Sequence, residues 1–188
     1  MIAKLMKTSI LAASLALTAP AMAQALAPAV VVIVDLERVA NQSLAGKAAT
    51  TELQARVTAL QARARSLQAS LKTEADAIQA GQANKSLAGA ALQTRAQAFA
   101  QKQQAAQQEL QRGDQELQRA RQFVIKQITD AAQPHITSSM RERGASIAVN
   151  KNAVLQHSAG LEVTDAVLAK LNAALPKVST TPPAAPKP

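Results

Sequence analysis

The sequence predicts an α+β protein that is predominantly helical, in which a long antiparallel helical hairpin projects as an arm from a small β body. Residues 30–36, VVVIVDL, are mostly β-branched without alternation, which indicates a strand buried on both faces. Residues 44–143 carry two series of apolar residues at heptad spacing, typical of long paired helices. Only Phe99 and Phe123 are aromatic, which disfavours a conventional globular core.

The first 23 residues are typical of a cleaved export signal. Lys4 and Lys7 precede an apolar run at residues 10–17, and Ala21-Met22-Ala23 fits a signal-peptidase site. An uncleaved membrane anchor is the alternative, but spanning a bilayer takes about 20 apolar residues. Pro20 follows too early for that, so we expect cleavage.

The mature chain is then basic and free of cysteine. Loss of Lys4 and Lys7 leaves 19 of the 21 basic residues against 12 acidic ones, a formal net charge of +7. An exported chain without disulfides fits a bacterial periplasm. A basic protein ordinarily suggests nucleic acid as a partner. Export makes that partner unsuitable, so none is expected.

Two apolar seams predict the arm. The first comprises Leu53, Val57, Leu60, Ala64, Leu67, Leu71 and Ile78, with Ala75 near it. A turn follows at residues 80–86, where Ser86 is a candidate cap for the next helix. The second seam comprises Phe99, Gln103, Ala106, Leu110, Gly113, Leu117, Ala120, Val124 and Ile128. Together they predict an antiparallel helical hairpin.

The second seam is weakly apolar. Gln103, Ala106 and Gly113 stand where a tight coiled coil has Leu or Ile. An interior glycine alone costs a helix about 1 kcal/mol relative to alanine. An open, bendable arm and a merely imperfect coiled coil account for this pattern equally well.

The remainder of the β body is predicted after the arm. The second helix is expected to end around Pro134 and Gly144. Residues 146–156, SIAVNKNAVLQ, predict a β-hairpin that turns at Asn150-Lys151-Asn152. Strands from opposite ends of the chain can pair only if the arm projects between them.

The last segments are a short helix and a tail. Residues 161–175 predict an amphipathic helix with Thr164 as its N-cap. Residues 176–188 are rich in proline and are predicted to be disordered. Three short strands and one short helix bury too little apolar surface to be stable alone, so we expect oligomerisation.

No pattern of catalytic or metal-binding residues is found in the sequence. His135 and His157 are distant from each other and lack cysteine partners, so a zinc site is not expected. Phosphate-loop and nucleophile-elbow motifs are missing from the sequence. Glu74 and Asp76 stand beside basic residues and are expected to face solvent. We therefore expect a protein that is not an enzyme and has no cofactor.

Basic residues follow both seams. Between Leu53 and Lys102 there are seven basic residues against two acidic ones. Such rows are often just the solvated face of a helix. A face that serves only solubility would mix the two signs, so the imbalance favours a functional surface.

The layout resembles the Skp/OmpH family of periplasmic chaperones. The matching pieces are VVIVDLERV at residues 31–39, the Ala80-Gly81 tip, RAQAFAQKQQAAQQEL at 95–110, and AVNKNAVLQHSAGLEVTDAVLAKL at 148–171. The last piece is the most specific. On this resemblance, residues 24–175 form one domain, with a body of residues 29–43 and 144–175 and an arm of residues 44–143.

The resemblance implies a jellyfish-like homotrimer whose three arms enclose a cavity. It also implies that the protein holds unfolded outer-membrane proteins in the periplasm without ATP. A structural coiled-coil adaptor of the cell envelope is the alternative. Anionic lipid and lipopolysaccharide are further candidate partners.

Two sets of site residues follow from this interpretation. Client contact is expected on the arm at Arg56, Arg63, Arg65, Lys72, Ile78, Lys85, Leu92, Arg95, Phe99 and Lys102. Association between copies is expected at Val32, Val34, Ile147, Val149, Val154 and Leu155.

Overall fold

A computed structural model describes residues 28–183 and shows a long helical arm on a small base. The elements in chain order are β1 (Val31–Val34), α1 (Leu36–Gln42), α2 (Leu44–Ala83), α3 (Gly89–Glu142), β2 (Ile147–Asn150) and α4 (Thr164–Ala174), with 3₁₀ turns at Lys151–Ala153 and Ala159–Leu161. The predominantly helical α+β class is thus confirmed. The predicted signal segment, residues 1–23, lies outside the described residues. Among those described, no helix is both long and apolar enough to span a bilayer.

The arm is an antiparallel pair of helices, α2 and α3. Contacts between them step outward along α2 as they step backward along α3, from Leu60 beside Gly113 to Arg63 beside Glu109. At about 1.5 Å per residue, the 40 residues of α2 extend roughly 60 Å. Ser86 does not cap α3, since Ala88 holds that position without a side-chain bond.

The base contains a parallel pair of strands from opposite ends of the chain. Val31 pairs with Ile147 and Val34 with Asn150, and Ile33 forms a separate parallel bridge to Glu162. The predicted β-hairpin at residues 146–156 is therefore wrong. After β2 the chain enters a 3₁₀ turn, in which the Asn150 side chain accepts a hydrogen bond from the Asn152 amide at 3.4 Å. That turn directs the chain away from the sheet.

A short helix, α1, separates β1 from the arm and was not predicted. The Asp35 carboxylate caps it by accepting a hydrogen bond from the Arg38 amide at 2.8 Å. The Ser43 hydroxyl then caps α2 by accepting from the Gly46 amide at 3.1 Å. The backbones approach closely here, because a Cβ added to Gly46 would lie 1.8 Å from the Ala40 carbonyl oxygen. Glycine is therefore required at this junction.

Pro134 lies inside α3 and does not end it, contrary to the expectation from sequence. Proline removes one hydrogen bond and strains the preceding turn. The helix persists because residues on both sides of the proline are held by the core. Ala132, before it, is fully buried, and Ile136 and Met140, after it, pack against the core. The helix ends at Glu142, close to the predicted Gly144, which follows the C-cap Arg143 and whose φ of +62° suits glycine.

Thr164 links the first strand to the last helix, although it does not cap that helix. It is fully buried, and its hydroxyl accepts a hydrogen bond from the Asp35 amide at 3.0 Å and donates one to Glu162 at 3.0 Å. The predicted N-cap role is therefore wrong, since Val163 precedes the helix.

Replacing Thr164 with valine is expected to destabilise the fold by about 1–3 kcal/mol, because the Asp35 amide is left without an acceptor. Chemical denaturation of the two proteins measures this difference. Thr164→Ser retains the hydroxyl and serves as the control. Equal losses in both variants would show that packing of the methyl group, and not the hydrogen bond, matters.

The tail is ordered over residues 176–183, which corrects the predicted disorder there. Val178 and Thr180 are buried, at 8 % and 3 % exposure, whereas Lys177, Ser179 and Thr181 are exposed. This alternation is that of an extended segment with one face against the protein. Residues 184–188 lie outside the described part of the chain.

Candidate functional site

The outer arm is open along most of its length. The base of the seam is buried, with Ala120 and Ile128 at 0 % and 1 % exposure. Of residues 54–105, all of which the structure describes, none is buried. The two helices therefore touch along this stretch without forming a closed core.

Half-buried apolar side chains form a stripe along this open stretch. The residues of this apolar stripe are Leu60, Leu67, Leu71, Ile78, Leu92 and Phe99. Each of these side chains is partly buried and leaves the rest of its surface in water. The predicted Ile78, Leu92 and Phe99 all belong to it. Such a stripe offers many weak apolar contacts and no shaped pocket.

Leu60 and Gly113 mark where the stripe meets the closed base. A Cβ added to Gly113 would lie 2.6 Å from Leu60 Cδ1, so the glycine lets this leucine rest on the backbone of α3. Beside them lies a groove of about 300 Å³, lined by residues that include Val57, Leu110 and Leu117. Gly113 is thus a packing position as well as a weak point of the helix.

Four of the predicted arm cations form ion pairs. Arg63 spans the arm to Glu109 through two hydrogen bonds of 2.6 and 3.1 Å, and Lys102 spans it to Glu74. Lys72 pairs with Asp76 at 2.8 Å within α2. The Glu74 side chain is only 17 % exposed, so the expectation that it faces solvent is wrong. Much of the positive charge on the arm is therefore compensated locally.

The fourth paired cation, Arg56, serves the base of the arm. It bonds to Glu52 at 3.0 Å and to the Thr180 hydroxyl at 2.7 Å. The structure therefore separates Arg56 from the outer arm residues with which the sequence grouped it.

Three predicted cations remain uncompensated. Within the described part of the chain, no carboxylate lies within 4 Å of a charged group of Arg65, Lys85 or Arg95. All three residues are exposed. They form the free cations of the outer arm. A sequence count of charges cannot separate them from the paired cations, because pairing depends on which helix faces touch.

The pKa of Glu109 is lowered, mainly by its hydrogen bond from Arg63. The pKa of Glu52 is lowered as well, first by the hydrogen bond from the Thr180 hydroxyl and then by that from Arg56. A carboxylate with a lowered pKa stabilises the fold at pH values above its ordinary pKa. That contribution is lost as the pH falls through the lowered value.

Acidification is therefore expected to lower the thermal midpoint of the protein below roughly pH 4, the ordinary range of glutamate. Thermal scans followed by circular dichroism between pH 7 and pH 2 test this. Glu109→Gln should begin with a lower midpoint at pH 7 and lose less on acidification. Parallel curves for variant and wild type would contradict the role of the Arg63 pair.

The residues expected to join copies are divided by the structure. Val32 and Val34 are each 2 % exposed and belong to the core of the single chain, so they are not free to contact another copy. Val149 and Val154 are half-buried. Ile147 and Leu155 are 45 % and 102 % exposed. Within the described residues β2 pairs only with β1, which leaves its outer edge open.

Metal-ligating residues do not cluster in the described part of the chain, where no group of three or more His, Cys, Asp or Glu could hold an ion. The fold and surface thus define an α+β protein whose main feature is an open helical hairpin that carries an apolar stripe and free cations.

Comparisons with known proteins identify the family to which this fold belongs. The family model described as outer membrane protein (OmpH-like) matches residues 30–171, and the chain belongs to that family. A solved structure from Caulobacter crescentus CB15, presented as a candidate OmpH-like outer membrane chaperone, has a similar fold with a TM-score of 0.73. The two sequences are 24 % identical, and the match covers 81 % of this chain and 89 % of that one. No curated protein sequence gives a significant match.

Proposed function

We propose that the protein is an ATP-independent periplasmic holdase that binds unfolded outer-membrane proteins and prevents their aggregation. The observation that carries this proposal is the open outer arm, where an unclosed apolar stripe and the free cations Arg65, Lys85 and Arg95 occur along the same stretch. Membership of the OmpH-like family supports a chaperone of this kind. The export signal expected in residues 1–23 would deliver the chain to the periplasm.

The arm suits clients that differ in sequence. An unfolded barrel protein exposes alternating apolar residues and unpaired strand edges, both prone to aggregation. A partner that binds many sequences weakly needs an adaptable surface and not one shaped pocket. Half-buried leucines along the arm provide apolar contacts, and the free cations add a long-range field that strengthens capture.

Three arms would act together if copies associate through the base. The open edge of β2 and the exposed Ile147 within this strand offer a place for a strand or side chain of another copy. Several weak contacts on one client then raise its residence time through effective concentration. Sedimentation of the mature protein tests the assembly, since a stable monomer would leave each arm acting alone.

Light scattering of a urea-diluted porin tests the activity. With one trimer of the protein per porin chain, we expect the rise in scattering to be suppressed. Unchanged aggregation would reject the holdase. The structural adaptor makes the opposite prediction in a pull-down, where one partner would be recovered at fixed stoichiometry. Association with anionic vesicles without client would instead indicate lipid binding.

A further inference from the structure

An extended segment, residues 177–181, lies across the base of the arm and is held almost entirely by side chains. Val178 enters the main apolar core, and Thr180 is also buried. Within the described residues, no backbone group of residues 176–183 bonds to another backbone group. The segment is therefore held as a bound peptide is, and not as a strand of a sheet.

Gln127 binds the backbone of this segment. Its side-chain Nε2 donates to the Ser179 carbonyl at 2.8 Å, and its Oε1 accepts from the Ser179 amide at 3.2 Å. One carboxamide thus satisfies both backbone groups of one extended residue. Nε2 also donates to the Phe123 carbonyl at 3.2 Å, which orients the amide. Recognition of this kind does not depend on the identity of the residue that is bound.

Arg56 and Glu52 bind the next residue. The Arg56 guanidinium donates to the Thr180 carbonyl at 3.2 Å and to the Thr180 hydroxyl at 2.7 Å. The Glu52 carboxylate accepts a hydrogen bond from the same hydroxyl and pairs with Arg56 at 3.0 Å. The arginine and glutamate therefore orient each other and select a hydroxyl two residues after the buried valine.

Prolines flank the bound segment at Pro176 and Pro182-Pro183. Proline prevents continuation of α4 and favours an extended backbone, which lowers the entropy lost on docking. The segment begins directly after Leu175, the residue that follows α4. Its local concentration at the site is therefore high.

We propose that Glu52, Arg56 and Gln127 form a binding site for extended peptides, which residues 177–181 occupy in cis. The ligand class is an extended peptide with a β-branched apolar residue followed, two positions later, by serine or threonine. A client strand with this pattern would compete with the tail for the site. The client as a ligand depends on the proposed function, whereas the existence of the site does not.

The test uses the full mature chain with Val178→Asp, because a carboxylate at this buried position releases the segment. The probe is a fluorescent peptide with the sequence of residues 176–183, followed by anisotropy. We expect Val178→Asp to bind this probe at least about tenfold more tightly than wild type, whose site is filled at millimolar effective concentration. Ala173→Asp introduces the same carboxylate at an exposed position of α4 and should behave as wild type.

One further protein variant and one altered probe decide whether the assigned site is responsible. Adding Gln127→Ala to Val178→Asp should weaken binding of the probe about tenfold, and a probe with aspartate in place of its valine should not bind. The proposal would be overturned if wild type and Val178→Asp bound the probe equally, or if Gln127→Ala had no effect. It would also be overturned if Val178→Asp kept its helical circular-dichroism spectrum but did not bind the probe. Neither client nor trimer is needed, so failure here is distinct from failure of the holdase.

Hydrogen exchange of the wild-type chain provides a second measurement that does not require Val178→Asp to fold. The Ser179 amide should be protected in wild type and lose protection in Gln127→Ala, while the amides of α3 retain theirs. A Ser179 amide that exchanges freely in wild type would overturn occupancy of the site by the tail.

Discussion

Gly46→Ala is expected to destabilise the protein by at least about 3 kcal/mol, at the upper end of the cost of overpacking. The new Cβ would lie 1.8 Å from the Ala40 carbonyl oxygen, which is backbone and cannot rotate away. The helix propensity gained by alanine, about 1 kcal/mol, is smaller than this cost. Relief requires α1 to move away from α2, which disturbs the Ser43 cap between them. Urea denaturation followed by circular dichroism measures the loss.

Gly160→Ala is the matched control for this substitution. A Cβ added at Gly160 would have no atom within 4 Å, and the residue lies in a short 3₁₀ turn. We expect a change close to zero there. If the two alanine variants were equally stable, the close approach of α1 to α2 would not hold in solution.

Reversal of the free cations is expected to have the largest effect on client capture. With Arg65, Lys85 and Arg95 all changed to glutamate, affinity for an unfolded porin should fall on the order of a hundredfold at low ionic strength, from about 1 kcal/mol for each exposed charge. Salt should weaken binding by wild type and leave the variant almost unaffected. Light scattering and binding titrations across a salt series measure both effects.

Charge reversal away from the outer arm provides the control. Lys47, Arg119 and Arg141 are exposed, and changing them to glutamate alters the net charge by the same amount. We expect this variant to retain most of its capture. If both triple variants lost capture equally, net charge and not the outer arm would govern binding, and the assignment of the site would be wrong.

Local periodicity allowed the arm to be predicted from sequence. In the second seam, Leu117, Ala120, Val124 and Ile128 are buried as predicted, whereas Gln103 is exposed. The spacing of apolar residues reports a helix face directly, because only neighbours within the same helix determine it. The sequence left an open outer seam and a merely imperfect coiled coil undecided, although small and polar side chains there leave little surface to bury.

Features that depend on contacts distant in sequence were predicted less well. Pro134 is tolerated because tertiary packing of the following turns outweighs a local cost. Val154 and Leu155 have strand-like side chains, yet the 3₁₀ turn at Lys151–Ala153 removes them from the sheet. The pairing of Arg63 with Glu109 and of Lys102 with Glu74 depends on the register between α2 and α3, and this register cannot be read from a count of charges.

The docked tail was missed because composition dominated its interpretation. Its prolines indicate disorder when they are counted alone. The signal that could have revealed docking is the alternation at residues 177–181, in which Val178 and Thr180 are β-branched and their neighbours are polar or charged. No pattern in the sequence marked Gln127 or Glu52, because they bind the tail only when it lies across both helices.

The parallel pairing of β1 with β2 governs the order in which a nascent chain can fold. Val31 can pair only after Ile147 has been synthesised, so most of the polypeptide emerges before the two strands of the base can pair. The hairpin needs only contacts within residues 44–142 and can form earlier. We expect closure of so large a loop to be the slow step, and an arm that is already helical would shorten the distance between the two strands.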